Sequence, residues 1–167
     1  MYRNRWLFLL VVCVPFTAWA AAASDAGLGK GPIHIAADQL RGQNKPVQEA
    51  VYSGNVVLQQ GNLIIHAAQL TIHAQAGKIE KAVATGSPVS FTMSSAERHG
   101  YSQRLSYEPG SGRIVLTGDA HLWQGKNEVA GNQVVYLLHS QQTEVTATPG
   151  QRVRSVFYPA KDGSGKP

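Results

Sequence analysis

The chain has 167 residues, 43% of them hydrophobic, a length and composition that suit one folded domain and exclude a disordered protein. Its formal net charge is +5, and two arginines among the first five residues account for part of it. This charge is mild and no long basic run occurs, so we do not expect nucleic acid as a partner.

The first predicted element is a secretory signal peptide with its cleavage region, residues 1–23. Two arginines precede an apolar run from Trp6 to Trp19, which is followed by small residues. The run is short for a membrane anchor, because spanning a bilayer takes about 20 residues. Cleavage is therefore expected after Ala20 or Ala23.

The only cysteine, Cys13, lies inside that run and leaves with it. The mature chain then has no disulfide, no cysteine-ligated metal and no cysteine nucleophile in an oxidising compartment. Beyond the cleavage region we predict a flexible linker over residues 24–31, an ordered body over 32–159 and a disordered tail over 160–167.

Two sequence marks recur along the body. The first is a glycine at an even spacing of 32, and the second is a glutamine shortly before an apolar residue. We interpret the marks as four units of about 30 residues, each a run of short strands bent where a glycine takes a positive φ. The marks are Gly54, Gly86, Gly118 and Gly150, and Gln39, Gln69, Gln103 and Gln133.

Apolar and polar residues alternate through the body, which predicts strands with one wet face, and no stretch keeps a helical period. The chain is predicted to be all-β. Stacked units with one apolar face each would build a continuous trough with open sheet edges, although a closed sandwich core is the plainer interpretation of any single residue. The predicted inward residues are Ile33, Ile35, Tyr52, Val56, Leu58, Leu63, Ile65, Leu70, Ile72, Val89, Phe91, Leu105, Tyr107, Leu116, Leu122, Val129, Val134, Tyr136 and Val153.

Residue patterns typical of catalysis or metal binding are almost absent. The six histidines are scattered at spacings that suit no usual zinc site, and no nucleophile elbow, phosphate-binding loop or dinucleotide fingerprint occurs. We predict solvent-facing histidines, no enzyme, no metal and no cofactor. Trp123 follows an inward residue and should point outward, either as an interaction site or packed under a loop.

Five segments between Pro32 and Lys161 resemble the LptA family of periplasmic lipopolysaccharide-transport bridge proteins, in the OstA-like superfamily. The segments are "PIHIAADQL", "YSGNVVLQQGNLIIHAAQLTI", "GSPVSF", "SQRLSYEPGSGRIVLTGDAHLWQGKNEVAGNQVVYLLHSQQ" and "GQRVRSVFYPAK". The resemblance implies a twisted, open-ended β-jellyroll of many short antiparallel strands that holds lipopolysaccharide acyl chains in its lumen.

By position, the resemblance implies lipid contacts at Ile33, Ile35, Phe91 and Tyr107, which also lie on the predicted apolar face. The expected lumen includes further residues of that face: Val56, Leu58, Leu105, Leu116 and Leu122.

The resemblance also implies a head-to-tail bridge between the inner and outer membranes. An inner-membrane LptC-like protein would pair with the edge from Ile33 to Leu40. An outer-membrane LptD-like protein, or another copy of this chain, would pair with the edge from Arg152 to Tyr158. The candidate edge residues are Ile33, Ile35, Leu40, Arg152, Val153, Arg154 and Phe157.

Two alternatives stay open on the sequence. One is the membrane-anchored, LptC-like component of the same pathway. The other is a structural β-repeat protein of the cell envelope with a closed core. For the arginines at 152 and 154, protection of an exposed edge is favoured over contact with an acidic partner.

Overall fold

A computed structural model of the protein describes residues 31–44 and 48–159. The predicted signal peptide, nearly all of the linker and the predicted tail lie outside these ranges. The described residues form ten strands and one 3₁₀ turn, Ser94–Ala96. The strands are β1 (His34–Ala36), β2 (Gln39–Gln43), β3 (Gln48–Gln60), β4 (Leu63–Gln75), β5 (Lys78–Met93), β6 (Arg98–Glu108), β7 (Arg113–Gln124), β8 (Asn127–Leu137), β9 (Gln142–Thr146) and β10 (Arg154–Val156).

All strands belong to one antiparallel sheet that does not close into a barrel. Strands β3 to β8 pair in chain order, β1 and β2 both pair with β3, and β9 and β10 both pair with β8. The sheet therefore has an N-terminal edge made of β1 and β2 and a C-terminal edge made of β9 and β10. The predicted open-ended, all-β architecture is confirmed.

A line of β-bulges crosses the sheet and divides it into two layers. The register shifts between Ser53 and Val56 in β3 and between Thr117 and Ala120 in β7, and the strands between them shift at corresponding places. The β2–β9 layer contains β2, β9 and the segments of β3 to β8 on their side of the bulges. The β1–β10 layer contains β1, β10 and the segments across the bulges.

The bulges explain the glycine mark. Gly54 and Gly118 have φ of 77° and 80°, and Asn55 and Asp119 after them also have positive φ. Glycine, asparagine and aspartate adopt this conformation at the lowest cost. Gly150 also has a positive φ, of 84°, in a turn after β9.

Gly86 departs from the pattern, because it lies in a bulge without a positive φ. Here the register shift runs from Thr85 to Val89, a longer irregularity than the one in β3 or β7. The extra residues redirect the chain without a left-handed glycine. The predicted bend is present, and the predicted conformation at this position is wrong.

The strands are longer than the sequence suggested, since β3 to β8 each contain 11 to 16 residues. Each bulge bends a strand without ending it, so two predicted short strands are one continuous strand that passes through both layers.

One apolar core lies between the layers. Every predicted inward residue except Val153 belongs to this core or packs against it. Val153 is 43% exposed, because it lies between β9 and β10, one residue before pairing with β8 begins at Arg154. The described ranges contain no helix long and apolar enough to span a membrane.

Candidate functional site

Two apolar rows run across the strands from one sheet edge to the other, one on the inner face of each layer. Cross-strand pairing places the members of a row side by side, so each row continues over eight strands. In the β1–β10 layer the row is Ile35, Leu58, Ile65, Phe91, Gly100, Leu122 and Val129, and it ends at Ser155. In the β2–β9 layer it is Leu40, Tyr52, Leu70, Ala84, Leu105, Leu116, Val134 and Val145.

The nine residues predicted to line a lumen lie together in this interior. Ile33 and Ile35 are half-buried at the N-terminal edge, and the other seven are buried in the core. The side chains of the middle strands pack against one another, with Phe91 only 1% exposed and Tyr107 fully buried. The interior in this structure is thus filled by the protein's own side chains.

Two polar contacts join the layers at the strand ends farthest from the bulges. Tyr107 Oη, in the β2–β9 layer, donates to Gln60 Oε1 in the β1–β10 layer at 2.7 Å. Arg98, in the β1–β10 layer, donates through Nη1 to the hydroxyl of Tyr136 in the opposite layer. Each contact supplies a partner to a polar group that is otherwise surrounded by the apolar core. Separating the layers would break both contacts.

Burial raises the pKa of Tyr107 to about 12, because the tyrosinate would lose its hydration. In the unfolded chain the phenol titrates near its ordinary value of 10.0. The stability that Tyr107 contributes is therefore complete below pH 10 and is lost as the pH rises toward 12. Between pH 9 and 11 we expect wild type to lose about 1 kcal/mol more stability than Tyr107→Phe.

Urea unfolding of wild type and Tyr107→Phe at the two pH values measures this difference. The variant retains every other group that titrates in this range, so the difference between the two proteins isolates the contribution of Tyr107. Equal pH dependence in both proteins would show that Tyr107 is hydrated in solution.

An opening between the layers occurs at the C-terminal edge, where a cavity of about 250 Å³ reaches the surface. Leu122 and Val129 of one layer and Val145 of the other line it, together with Arg98 and Phe157. Phe157 follows β10 and is 68% exposed. The apolar rows are thus accessible from this end without any separation of the middle strands.

The two sheet edges carry the large apolar side chains that the described residues expose. Leu40, in β2 at the N-terminal edge, is 59% exposed. Val153, Val156, Phe157 and Tyr158 are exposed at the C-terminal edge. Such unpaired strands with apolar side chains are ready templates for pairing with another chain.

Among the predicted edge residues, Ile33 precedes β1, Ile35 lies in it, and Leu40 lies in β2. At the other edge Arg154 begins β10, whereas Arg152, Val153 and Phe157 flank it. The last strand is shorter than the predicted edge from Arg152 to Tyr158. Arg152 and Arg154 instead line a polar groove of about 850 Å³ with Asp119 and Gln103.

Trp123 points outward as predicted and packs against neighbouring rings. It stacks with His99 at 5.2 Å and with His121 at 5.4 Å between ring centroids, and Tyr101 completes the group. All six histidines lie within the described ranges, and each is at least partly exposed. Within the described ranges, no three His, Cys, Asp or Glu side chains gather into a group that could hold a metal ion.

Three polar residues of the interior were not predicted from the sequence: Ser102 is 1% exposed, and Gln60 and Arg98 are each 4% exposed. Gln60 lies two positions after the inward Leu58, and Arg98 lies two positions before Gly100 of the inner row. Gln60 and Arg98 therefore keep the strand alternation of the apolar rows. Strand alternation indicates an inward position for Gln60 and Arg98, but the predicted inner face included only apolar residues.

A family model described as LptA/(LptD N-terminal domain) LPS transport protein matches residues 34–142. The match starts in β1 and ends in β9, so it covers nearly the whole sheet. The chain belongs to this family. It is therefore a member of a group of lipopolysaccharide-transport proteins.

Relatives and a solved structure agree with this membership. The chain is 30% identical over 137 residues to the lipopolysaccharide export system protein LptA of Escherichia coli K12, with 78% of this chain and 72% of that protein covered. It is 27% identical to the protein of the same name from Haemophilus influenzae, with 96% and 95% covered. The crystal structure of LptH, the LptA-homologous periplasmic component of the lipopolysaccharide transport device of Pseudomonas aeruginosa, superposes with a TM-score of 0.71. It is 24% identical, with 80% of this chain and 99% of that chain covered, and it supports the same fold.

Proposed function

We propose that the protein carries lipopolysaccharide across the periplasm with the acyl chains held between the two layers. The observation behind the proposal is the pair of apolar rows that continue from Ile35 and Leu40 at one edge to Val129 and Val145 at the other. Moving one methylene from water into apolar surroundings is favourable by about 0.8 kcal/mol. A lipid whose acyl chains would be exposed to water therefore stays in its membrane. A continuous apolar path removes that barrier.

Lipid entry requires the layers to move apart, because the middle of the interior is filled by side chains. Acyl chains would replace contacts between the layers with contacts of the same apolar kind, so the net change in hydrophobic burial is small. The contacts of Gln60 with Tyr107 and of Arg98 with Tyr136 would break on opening. The sugar portion would remain in solvent.

We propose that the N-terminal edge pairs with an inner-membrane LptC-like protein and that the C-terminal edge pairs with an LptD-like outer-membrane protein or a second copy. The edges differ in sequence, so pairing of one with the other is head to tail and can extend into a filament. In that arrangement Leu40 and Phe157 become covered. The apolar rows then continue into the next chain.

The periplasm is the proposed compartment, with the predicted signal peptide removed after Ala20 or Ala23. A protein that bridges the two membranes needs both sheet edges free for partners. The relatives from Escherichia coli and Haemophilus influenzae are named as export system proteins, and LptH is described as a periplasmic component. These names support a carrier and give no support to an enzyme.

The filled interior favours one competing function, a structural envelope protein whose core stays closed. Titration of the purified mature chain with purified lipopolysaccharide distinguishes the two. A carrier binds saturably and competes with a fluorescent acyl probe for the same interior. A protein that binds neither lipopolysaccharide nor the probe, while folded, would support the structural alternative.

A further inference from the structure

Arg98 is a charged residue in the apolar interior. It begins β6 on the inner face and is only 4% exposed. Nη2 donates to Gln124 Oε1 at 2.9 Å, Nη1 donates to the Tyr136 hydroxyl, and the guanidinium carbon lies 4.6 Å from the centre of the Tyr136 ring. A guanidinium has five N–H donors in a rigid fork, so these contacts leave donors available.

The positive charge of Arg98 has no negative partner among the described residues. No described carboxylate lies within ion-pair distance of it. Burial raises the pKa of Tyr136 above 10.0 and Arg98 only opposes that effect, so the phenol stays neutral at physiological pH. Glu128 lines the same cavity, but its carboxylate lies 2.8 Å from His121 Nδ1.

A buried and uncompensated cation is costly to keep, and a bound anion would offset that cost. Arg98 lines the cavity at the C-terminal edge, where Leu122, Val129 and Val145 form the apolar walls. A ligand that satisfies both parts of this cavity has an anionic group attached to hydrocarbon chains. Guanidinium groups suit phosphate especially well, because two N–H groups can bond two phosphate oxygens at once.

We propose that Arg98 binds a phosphate group of a phosphorylated, acylated glycolipid whose acyl chains lie between the layers. The inference rests on the proposed carrier function and adds a polar anchor to it. When the layers part, the guanidinium leaves the Tyr136 hydroxyl and donates to phosphate oxygens. The anchor fixes the headgroup at the C-terminal opening, where the ligand passes to the next protein.

The test compares the binding of two lipid probes that share their acyl chains, diphosphorylated lipid A and the same lipid with both phosphates removed. Wild type is expected to bind the phosphorylated lipid at least about tenfold more tightly, as charge-assisted hydrogen bonds to a buried guanidinium imply. Arg98→Gln is expected to bind both lipids within about twofold. Arg113→Gln removes an equal charge from a half-exposed site beside Glu108 and should keep the wild-type ratio.

Nuclear magnetic resonance of wild type supplies a readout that does not depend on the folding of any variant. The Nε–H signal of Arg98 should shift with the phosphorylated lipid and not with its dephosphorylated counterpart. Equal binding of the two lipids by wild type, or an unchanged ratio in Arg98→Gln, would overturn the inference and leave the carrier function intact. Failure of both lipids to bind would refute the carrier function, and the inference with it.

Discussion

Gly100→Ala is expected to lower the free energy of unfolding by about 3 kcal/mol, at the upper end for overpacking in a well-packed core. A Cβ at this position would lie 2.5 Å from the backbone oxygen of His121 and 2.6 Å from Cε1 of Phe91. Gly100 pairs with both Phe91 and Leu122 in the inner row of the β1–β10 layer. The ring of Phe91 thus occupies the space that a side chain would need.

The backbone cannot move away easily, because β6 pairs with a strand on each side. Chemical denaturation of Gly100→Ala and Gly110→Ala measures the effect against a matched control. A Cβ at Gly110 meets no atom within 4 Å, so that variant should keep wild-type stability. If both variants unfold at the wild-type denaturant concentration, Phe91 does not pack over Gly100 in solution.

Leu40→Lys and Phe157→Lys are each expected to weaken end-to-end association of the chain at least about 100-fold, as loss of a central apolar contact can. Leu40 is 59% exposed at the N-terminal edge and Phe157 is 68% exposed at the C-terminal edge. Either lysine would have to lose its hydration on pairing. Neither substitution should affect folding, because both side chains are exposed in the single chain.

Mixing the two variants gives the sharpest test of head-to-tail pairing. Each variant retains one intact edge, so the mixture should form dimers that do not grow further, as sedimentation velocity would detect. Gln59→Lys places the same charge at an exposed site on the outer face and should associate as wild type does. If each single variant alone self-associates as strongly as wild type, these edges are not the interface.

Much of the fold could be predicted because strand alternation is a local signal. Every inward residue from Ile33 to Tyr136 on the predicted apolar face lies in the core or against it. The glycine and glutamine marks also had a physical origin. Gln39, Gln69 and Gln133 lie in one row across the β2–β9 layer, directly beside the bulge line.

The remaining features depend on which strands become neighbours. Val153 keeps the alternation but lies outside the paired region, so pattern alone placed it inside. Arg98 keeps the alternation too, yet its burial depends on the Tyr136 hydroxyl and Gln124, which are 38 and 26 positions away along the chain. Contacts between residues so distant in sequence leave no mark that a single sequence reveals.

Photo-crosslinking in living cells tests most directly whether lipopolysaccharide lies between the layers. A benzoylphenylalanine would replace Phe91 or Leu58 on the inner face, and Thr92 or Gln59, their exposed neighbours, on the outer face. We predict lipopolysaccharide adducts from the two inner positions and none from the two outer ones. Absence of adducts from both inner positions in folded protein, or equal adducts from all four, would contradict a lipid path through the interior.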